Sequence, residues 1–268
     1  MPLVFWHKAG LCAILGSIEK YEVLGVQTDV LGIKVNHLTL ESCINEICQA
    51  VMKRRFLRIV TANPEMIYAA DHNAVLKETI NSAQLVTADG VGVVWAANYL
   101  GNPVPERVTG IDLVEGLLPY ADRGVWRVAM LGARPGIADL AAKRIGLHYP
   151  QIIMQTNHGY FQAEEEMSLI AQIKEFNPDL LLVGLGAGKQ EIWLKEHPEL
   201  AYVSIGVGGS FDTLAGLTKR APQVIRRLKL EWFYRLIKEP QRLKRQMVLP
   251  RFMFKVMKQR QDVDKKPK

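Results

Sequence analysis

"LRIVTANPEM", residues 57–66, passes within ten residues from a β-branched apolar run to the start of a helix. Pro64 suits the first helical position, where its missing N–H costs nothing, and Asn63 before it is a good N-cap. Thr61 and Asn63 alternate onto one side of the run, at its carboxyl end. One unit later "QLVTADGVGVV", residues 84–94, repeats the pattern with Asp89 between an apolar run and a glycine-rich helix start. Read singly, Asn63 and Asp89 are each most simply caps. Two successive units that put Thr61, Asn63 and Asp89 on one rim point instead to a joint site.

The same alternation runs through the body of the chain. "VLGIKV" (30–35), "WRVAMLG" (126–132), "IIMQT" (152–156), "DLLLVGLG" (179–186) and "YVSIGVG" (202–208) read as further strands. Stretches of helical period separate them, among them "TLESCINEICQAVMKR", "PEMIYAADHNAVLKETINS", "IDLVEGLLPYADRG" and "AEEEMSLIAQIKEF". Strands apolar on both faces and joined by helix-length connections predict an α/β, Rossmann-like fold: a mostly parallel sheet covered by helices on both faces. Such folds bind ligands outside the carboxyl ends of their strands. Every strand expected here precedes residue 218. The organisation read from the sequence is an N-terminal extension over 1–26, a core over 27–218 and a basic, helical appendage over 219–268, its helices set apart from the sheet.

Three more strand ends are rich in glycine. In "MLGARPG" (130–136), Gly132 and Gly136 allow close backbone approach beside a helix N-terminus that favours an anion. "VGLGAGKQE" (183–191) carries Lys189, Gln190 and Glu191, but its spacing fits neither the Walker loop nor the dinucleotide fingerprint. In "IGVGGSFD" (205–212), Asp212 can bind a ribose or cap the next turn. Together the loops indicate a phosphorylated or sugar ligand and disfavour a nicotinamide oxidoreductase. The six histidines show no metal-binding spacing, and Asp262-Val263-Asp264, the sole Asp-x-Asp, lies in the polar tail. No metal or other cofactor is expected. Cys12, Cys43 and Cys48 form no CxxC; the latter two fall on a helical pattern as core residues.

Charge is unevenly spread. Residues 219–268 hold 17 of the 34 Lys and Arg but 4 of the 27 Asp and Glu, a net of +13 that leaves −6 for the rest. An anionic partner for the tail follows. Within it, Trp232, Phe233, Leu236, Leu243 and Met247 share one helical side, and Arg227, Arg235, Lys238, Arg242 and Arg245 the other. No apolar run approaches the roughly 18 residues of a membrane span, and the N-terminal apolar patch, broken by His7 and Lys8, does not read as a signal peptide.

In sequence order "TANPEM", "TADGVGVV", "ERVTGIDL", "MLGARPG", "GYF", "VGLGAGKQE", "GVGGSFDTLAG", "RAP" and "LEWFYRLIKEPQRLKRQ" resemble the WecG/TagA/CpsF glycosyltransferase family, from about residue 27 to residue 250. One departure is Gly188, where members often carry Pro. The resemblance implies an inverting transfer of N-acetylmannosamine, or a related sugar, from UDP to N-acetylglucosamine on undecaprenyl diphosphate. Asp89 is then the expected base. Thr61, Asn63, Arg107, Thr109, Gly132, Gly136, Gln190, Glu191 and Asp212 form the substrate-binding set, and Arg235, Arg242 and Arg245 face the diphosphate. It further implies that the appendage over 219–268 is membrane-facing, in a cytoplasmic protein held peripherally on the inner face of the bacterial plasma membrane, with a UDP-sugar donor, a lipid-linked diphosphate acceptor and an anionic membrane surface as partners. No nucleic acid is expected, and homo-oligomerisation is left open. Two alternatives stand beside this reading: a UDP-glucose or UDP-mannosaminuronate transferase for capsule or exopolysaccharide, and a non-catalytic membrane-surface binding protein.

Overall fold

The computed structural model describes residues 25–218, 222 and 247–264. The chain enters through a short hairpin, β1 (Gln27–Val30) and β2 (Ile33–Asn36), paired antiparallel. "VLGIKV" is therefore not one strand. Leu31 (φ 54°) and Gly32 (φ 84°) both take left-handed backbone, the two-residue turn whose twist matches a hairpin.

Helix α1 (Leu40–Met52) follows, opened by a Thr39–Ser42 capping box. Then come β3 (Leu57–Ala62), α2 (Pro64–Asp71), α3 (Ala74–Asn81) and β4 (Leu85–Ala88). The stretch expected as one helix over 64–82 is two, because the Asn73 side chain accepts from Leu76 N and starts α3 afresh. Next are α4 (Val91–Tyr99), α5 (Gly110–Arg123), β5 (Arg127–Gly132), α6 (Ile137–Gly146), β6 (Ile153–Asn157) and α7 (Ala163–Phe176). They are followed by β7 (Leu180–Gly184), α8 (Lys189–Glu196), β8 (Val203–Gly206), the short α9 (Ser210–Leu214) and α10 (Val248–Asp264).

Six strands form one parallel sheet in the order β4-β3-β8-β7-β5-β6. Its two faces are sorted by alternation along the strands. Leu57, Ile59, Val128, Met130, Leu182 and Ile205 pack with α1, α5 and α6 on one face. On the other, Val60, Ala62 and Val86 pack with α2, α3, α4 and the hairpin, while Leu131, Leu181 and Val183 pack with α7 and α8. The α/β, doubly covered architecture read from the sequence is the one observed. Cys43 and Cys48 are core residues, and burial pushes both thiols up to about 12, which leaves them unreactive.

The last helix, α10, lies on α2 and α4, with Phe252 and Val256 fully buried in the second core. Lys255 pairs with Asp71 at the end of α2, Gln259 Nε2 donates to Asp29 O (2.9 Å), and Arg260 donates to Leu100 O (2.8 Å). The apolar residues of α10 thus cover the helices that follow β3 and β4. Residues 1–24, 219–221, 223–246 and 265–268, with most of the amphipathic segment read over 227–247, lie outside the described residues.

Candidate active site

The carboxyl ends of β3, β4 and β8 meet at one rim. Thr61 and Thr87 are register partners, and the ladder runs on past the strands because Asp89 N donates to Ala62 O (2.9 Å). Asn63 and Asp89 therefore stand side by side, one step beyond the sheet. The segment before α5 is stitched to the same edge: Val108 N donates to Ala88 O (2.9 Å), and Thr87 Oγ1 donates to Val108 O (3.0 Å). This brings Arg107 and Thr109 to the rim. Thr109 caps α5 and donates to Asp112 Oδ2 (2.6 Å), which also pairs with Arg107 at 3.8 Å.

The two strand-end polar residues are used differently. The Asn63 side chain accepts from Met66 N (2.9 Å) and caps α2. Asp89 does not cap. The N-cap of α4 is Gly90, and that helix has no side-chain cap bond. Gly90 sits at φ 92°, ψ 151°, a conformation open essentially to glycine alone. It leaves Asp89 one residue outside the N-cap position.

Farther along the rim the groups are mostly backbone. Thr61 is buried and donates to Gly206 O (3.2 Å), tying β3 to the loop after β8. Gly110 packs against that loop, where a Cβ would meet Val207 Cα at 3.3 Å and Thr61 Oγ1 at 3.6 Å. Gly132 touches the next strand so closely that a Cβ would lie 2.5 Å from Gly184 O. From these two ends α6 leaves β5 onto one face and α8 leaves β7 onto the other. A crevice opens at such a reversal, the usual ligand position in parallel sheets. Gly136 starts α6 with left-handed backbone and open space around it.

Gln190 and Glu191 are 2% and 1% exposed, so neither side chain forms the open surface of the groove. Glu191 accepts from Gly188 N (2.7 Å) and Gln190 Nε2 (2.7 Å), and Gln190 Oε1 accepts from Gly208 N (3.1 Å). They support the glycine loops from behind. Burial pushes the Glu191 carboxyl up, against the hydrogen bonds from Gln190 and Gly188 and the charge of Arg58. Asp212 lies within α9 rather than capping it. Arg235, Arg242 and Arg245 fall outside the described residues. Arg58, a buried cation inside β3, was missed; the signal was a lone Arg within an otherwise apolar strand. Among the described residues no three His, Cys, Asp or Glu side chains are grouped to hold a metal ion.

A doubly covered parallel sheet, with a carboxylate beyond one strand end and glycine turns beyond its neighbours, is a frame for sugar transfer. The chain matches the glycosyl transferase WecG/TagA/CpsF family over residues 28–266 and belongs to it. It is 37% identical over 244 residues to the N-acetylglucosaminyldiphosphoundecaprenol N-acetyl-beta-D-mannosaminyltransferase of Staphylococcus aureus strain MW2, covering 89% of this chain and 95% of that protein. The proteins of the same description from strains NCTC 8325 and MRSA252 are 37% and 36% identical over the same length.

Proposed function

We propose that this glycosyltransferase moves N-acetylmannosamine from UDP to N-acetylglucosamine carried on undecaprenyl diphosphate, with inversion at the sugar carbon. The observation that carries the reading is the place of Asp89, one ladder step beyond β4 and one residue before the N-cap of α4, in a chain akin to mannosaminyltransferases. Asp89 takes the proton of the acceptor hydroxyl as that oxygen attacks the anomeric carbon and UDP departs on the opposite side. The hydroxyl oxygen forms the new glycosidic bond, and the bond to the diphosphate breaks with its electron pair on UDP.

Charge on the leaving diphosphate needs a counterpart. Arg235, Arg242 and Arg245 supply it in this reading, since a guanidinium grips phosphate through two parallel hydrogen bonds and replaces a metal there. Thr61, Asn63, Arg107 and Thr109 shape the acceptor side, with the glycine turns at 132–136, 186–188 and 206–209 and Asp212 on the donor side. Gln190 and Glu191 serve from beneath.

A lipid-linked acceptor implies work at a membrane surface, here the inner face of the plasma membrane. No helix among the described residues is long and apolar enough to cross a membrane. The outward side of α10 suits peripheral attachment, with Met253 40% and Phe254 67% exposed beside Arg251 and Lys258. The test is a panel of UDP-sugars with a short-chain diphosphate-linked N-acetylglucosamine acceptor. A β-linked N-acetylmannosaminyl product, formed equally well with EDTA, is the expected result. Another preferred sugar, a retained anomeric configuration, or dependence on added magnesium would each overturn the corresponding element of the proposal.

A further inference from the structure

Arg58 is an anomaly of composition. It sits inside a central parallel strand buried on both faces and is only 3% exposed. A buried cation is costly unless it is paired and hydrogen-bonded. Arg58 donates through one terminal nitrogen to Thr79 O (3.1 Å) and Ser82 Oγ (2.8 Å), and through the other to Glu191 O (3.4 Å). Burial opposes its charge and Glu191 favours it. Glu191 in turn lies directly under the loop that follows β8. A Cβ on Gly206 would be 2.6 Å from Gln190 Nε2 and 2.8 Å from Glu191 Oε1.

We propose that Arg58 and Glu191 are positioning residues that fix the direction of the Gln190 amide and, through it, the backbone of the 206–209 loop. The reasoning is a matter of donors and acceptors. An ionised Glu191 only accepts, so Gln190 must turn its NH2 toward it, as observed at 2.7 Å. That leaves the Gln190 oxygen facing the Gly208 N–H, also as observed. If position 191 were neutral Gln, its oxygen would be claimed by Gly188 N–H and its NH2 would face the Gln190 NH2. Flipping Gln190 would relieve that clash of donors but set its NH2 against the Gly208 N–H. Either way a donor is left unsatisfied in a buried place, at a cost of about 1–3 kcal/mol, and the loop can relieve it by moving. Arg58 supplies the charge that favours the ionised form. Because Gly206 O also receives the Thr61 hydroxyl, displacement of this loop reaches the rim of the site.

The transfer readout below rests on the proposed function; the exchange readout does not. Amide hydrogen exchange is measured without substrate at Gly208 and, as an internal reference, at Ile205 within β8. Glu191→Gln is expected to speed exchange at Gly208 at least tenfold relative to Ile205 and to raise the donor KM more than it lowers kcat. Arg58→Met should be poorly stable. Arg58→Met combined with Glu191→Gln should regain thermal stability, since both buried charges are gone, but not Gly208 protection. Should Glu191→Gln not fold, Gln190→Met, which removes the acceptor for Gly208, must give the same local loss of protection. Parental protection at Gly208 in a folded Glu191→Gln or Gln190→Met protein overturns the proposal, as does recovery of Gly208 protection in the double variant. A parent protein inactive with every sugar tested would sink the sugar-transfer reading while the exchange result still decided this one.

Discussion

Asn63 and Asp89 occupy equivalent places in two successive strand–helix units, one ladder step apart, yet the fold uses them differently. Asn63 gives its side-chain oxygen to the first turn of α2. Asp89 stands one residue before the N-cap of α4, because Gly90 takes the capping position in a conformation that displaces the helix start by one residue. The capping position commits Asn63 to its helix end, and the same step of the ladder leaves Asp89 outside that position. The two units nevertheless share a support, since α10 packs on both α2 and α4.

The widest separation of the two residues should appear in turnover. Asp89→Asn is expected to reduce it by about 10²–10⁴-fold, the usual worth of a positioned general base, with little change in melting temperature or donor affinity. Turnover near the parental rate would place the base elsewhere and collapse the contrast.

Removing the shared support should affect both units together. Phe252 is fully buried beneath them, and Phe252→Ala is expected to cost about 3–5 kcal/mol of stability, measured by denaturant unfolding. Ending the chain near Thr218 should accordingly expose the face that α10 covers. A mild loss of stability would mean that α10 rests on the core without holding it.

Gly90→Ala tests the displaced cap. The φ of 92° with ψ 151° should cost about 1–3 kcal/mol and, by moving Asp89, lower turnover more than an equally destabilising change elsewhere. Turnover that merely tracked stability would count against the displaced cap as the device that positions Asp89. Asn63→Ala should cost about 1 kcal/mol for the lost cap, seen chiefly in the melting temperature.

The smallest effect concerns acid. Burial raises the Asp71 carboxyl, but its hydrogen bond and ion pair with Lys255, with Lys77 and His72 nearby, outweigh that and hold it below its ordinary value. A carboxylate depressed in the folded state contributes stability that is fully present above its unfolded pKa and is lost as pH falls through the folded one. Stability from the α10–α2 contact should therefore fade only in acid, below the ordinary Asp range. Asp71→Asn should remove that part of the acid dependence, at a neutral-pH cost of under about 1 kcal/mol for a partly exposed pair.

Much of this was legible in the chain. The strand–helix alternation, the parallel sheet and the crowding of Thr61, Asn63 and Asp89 at one rim follow from apolar period and from the chemistry of helix starts, which act over a few residues. The split of 64–82 into two helices was legible too, in Asn73, but was outweighed by the continuous helical period. What tertiary structure alone decided depends on partners far apart in sequence. Gln190 and Glu191 read as groove residues until Gly208, Gly206 and Arg58 close around them. The apolar side of a C-terminal helix has the same period whether it meets lipid or protein; the neighbouring α2 and α4 surfaces decide that Phe252 and Val256 face inward while Phe254 faces out. Spacing tells which residues share a face, and only the packed chain tells what that face meets.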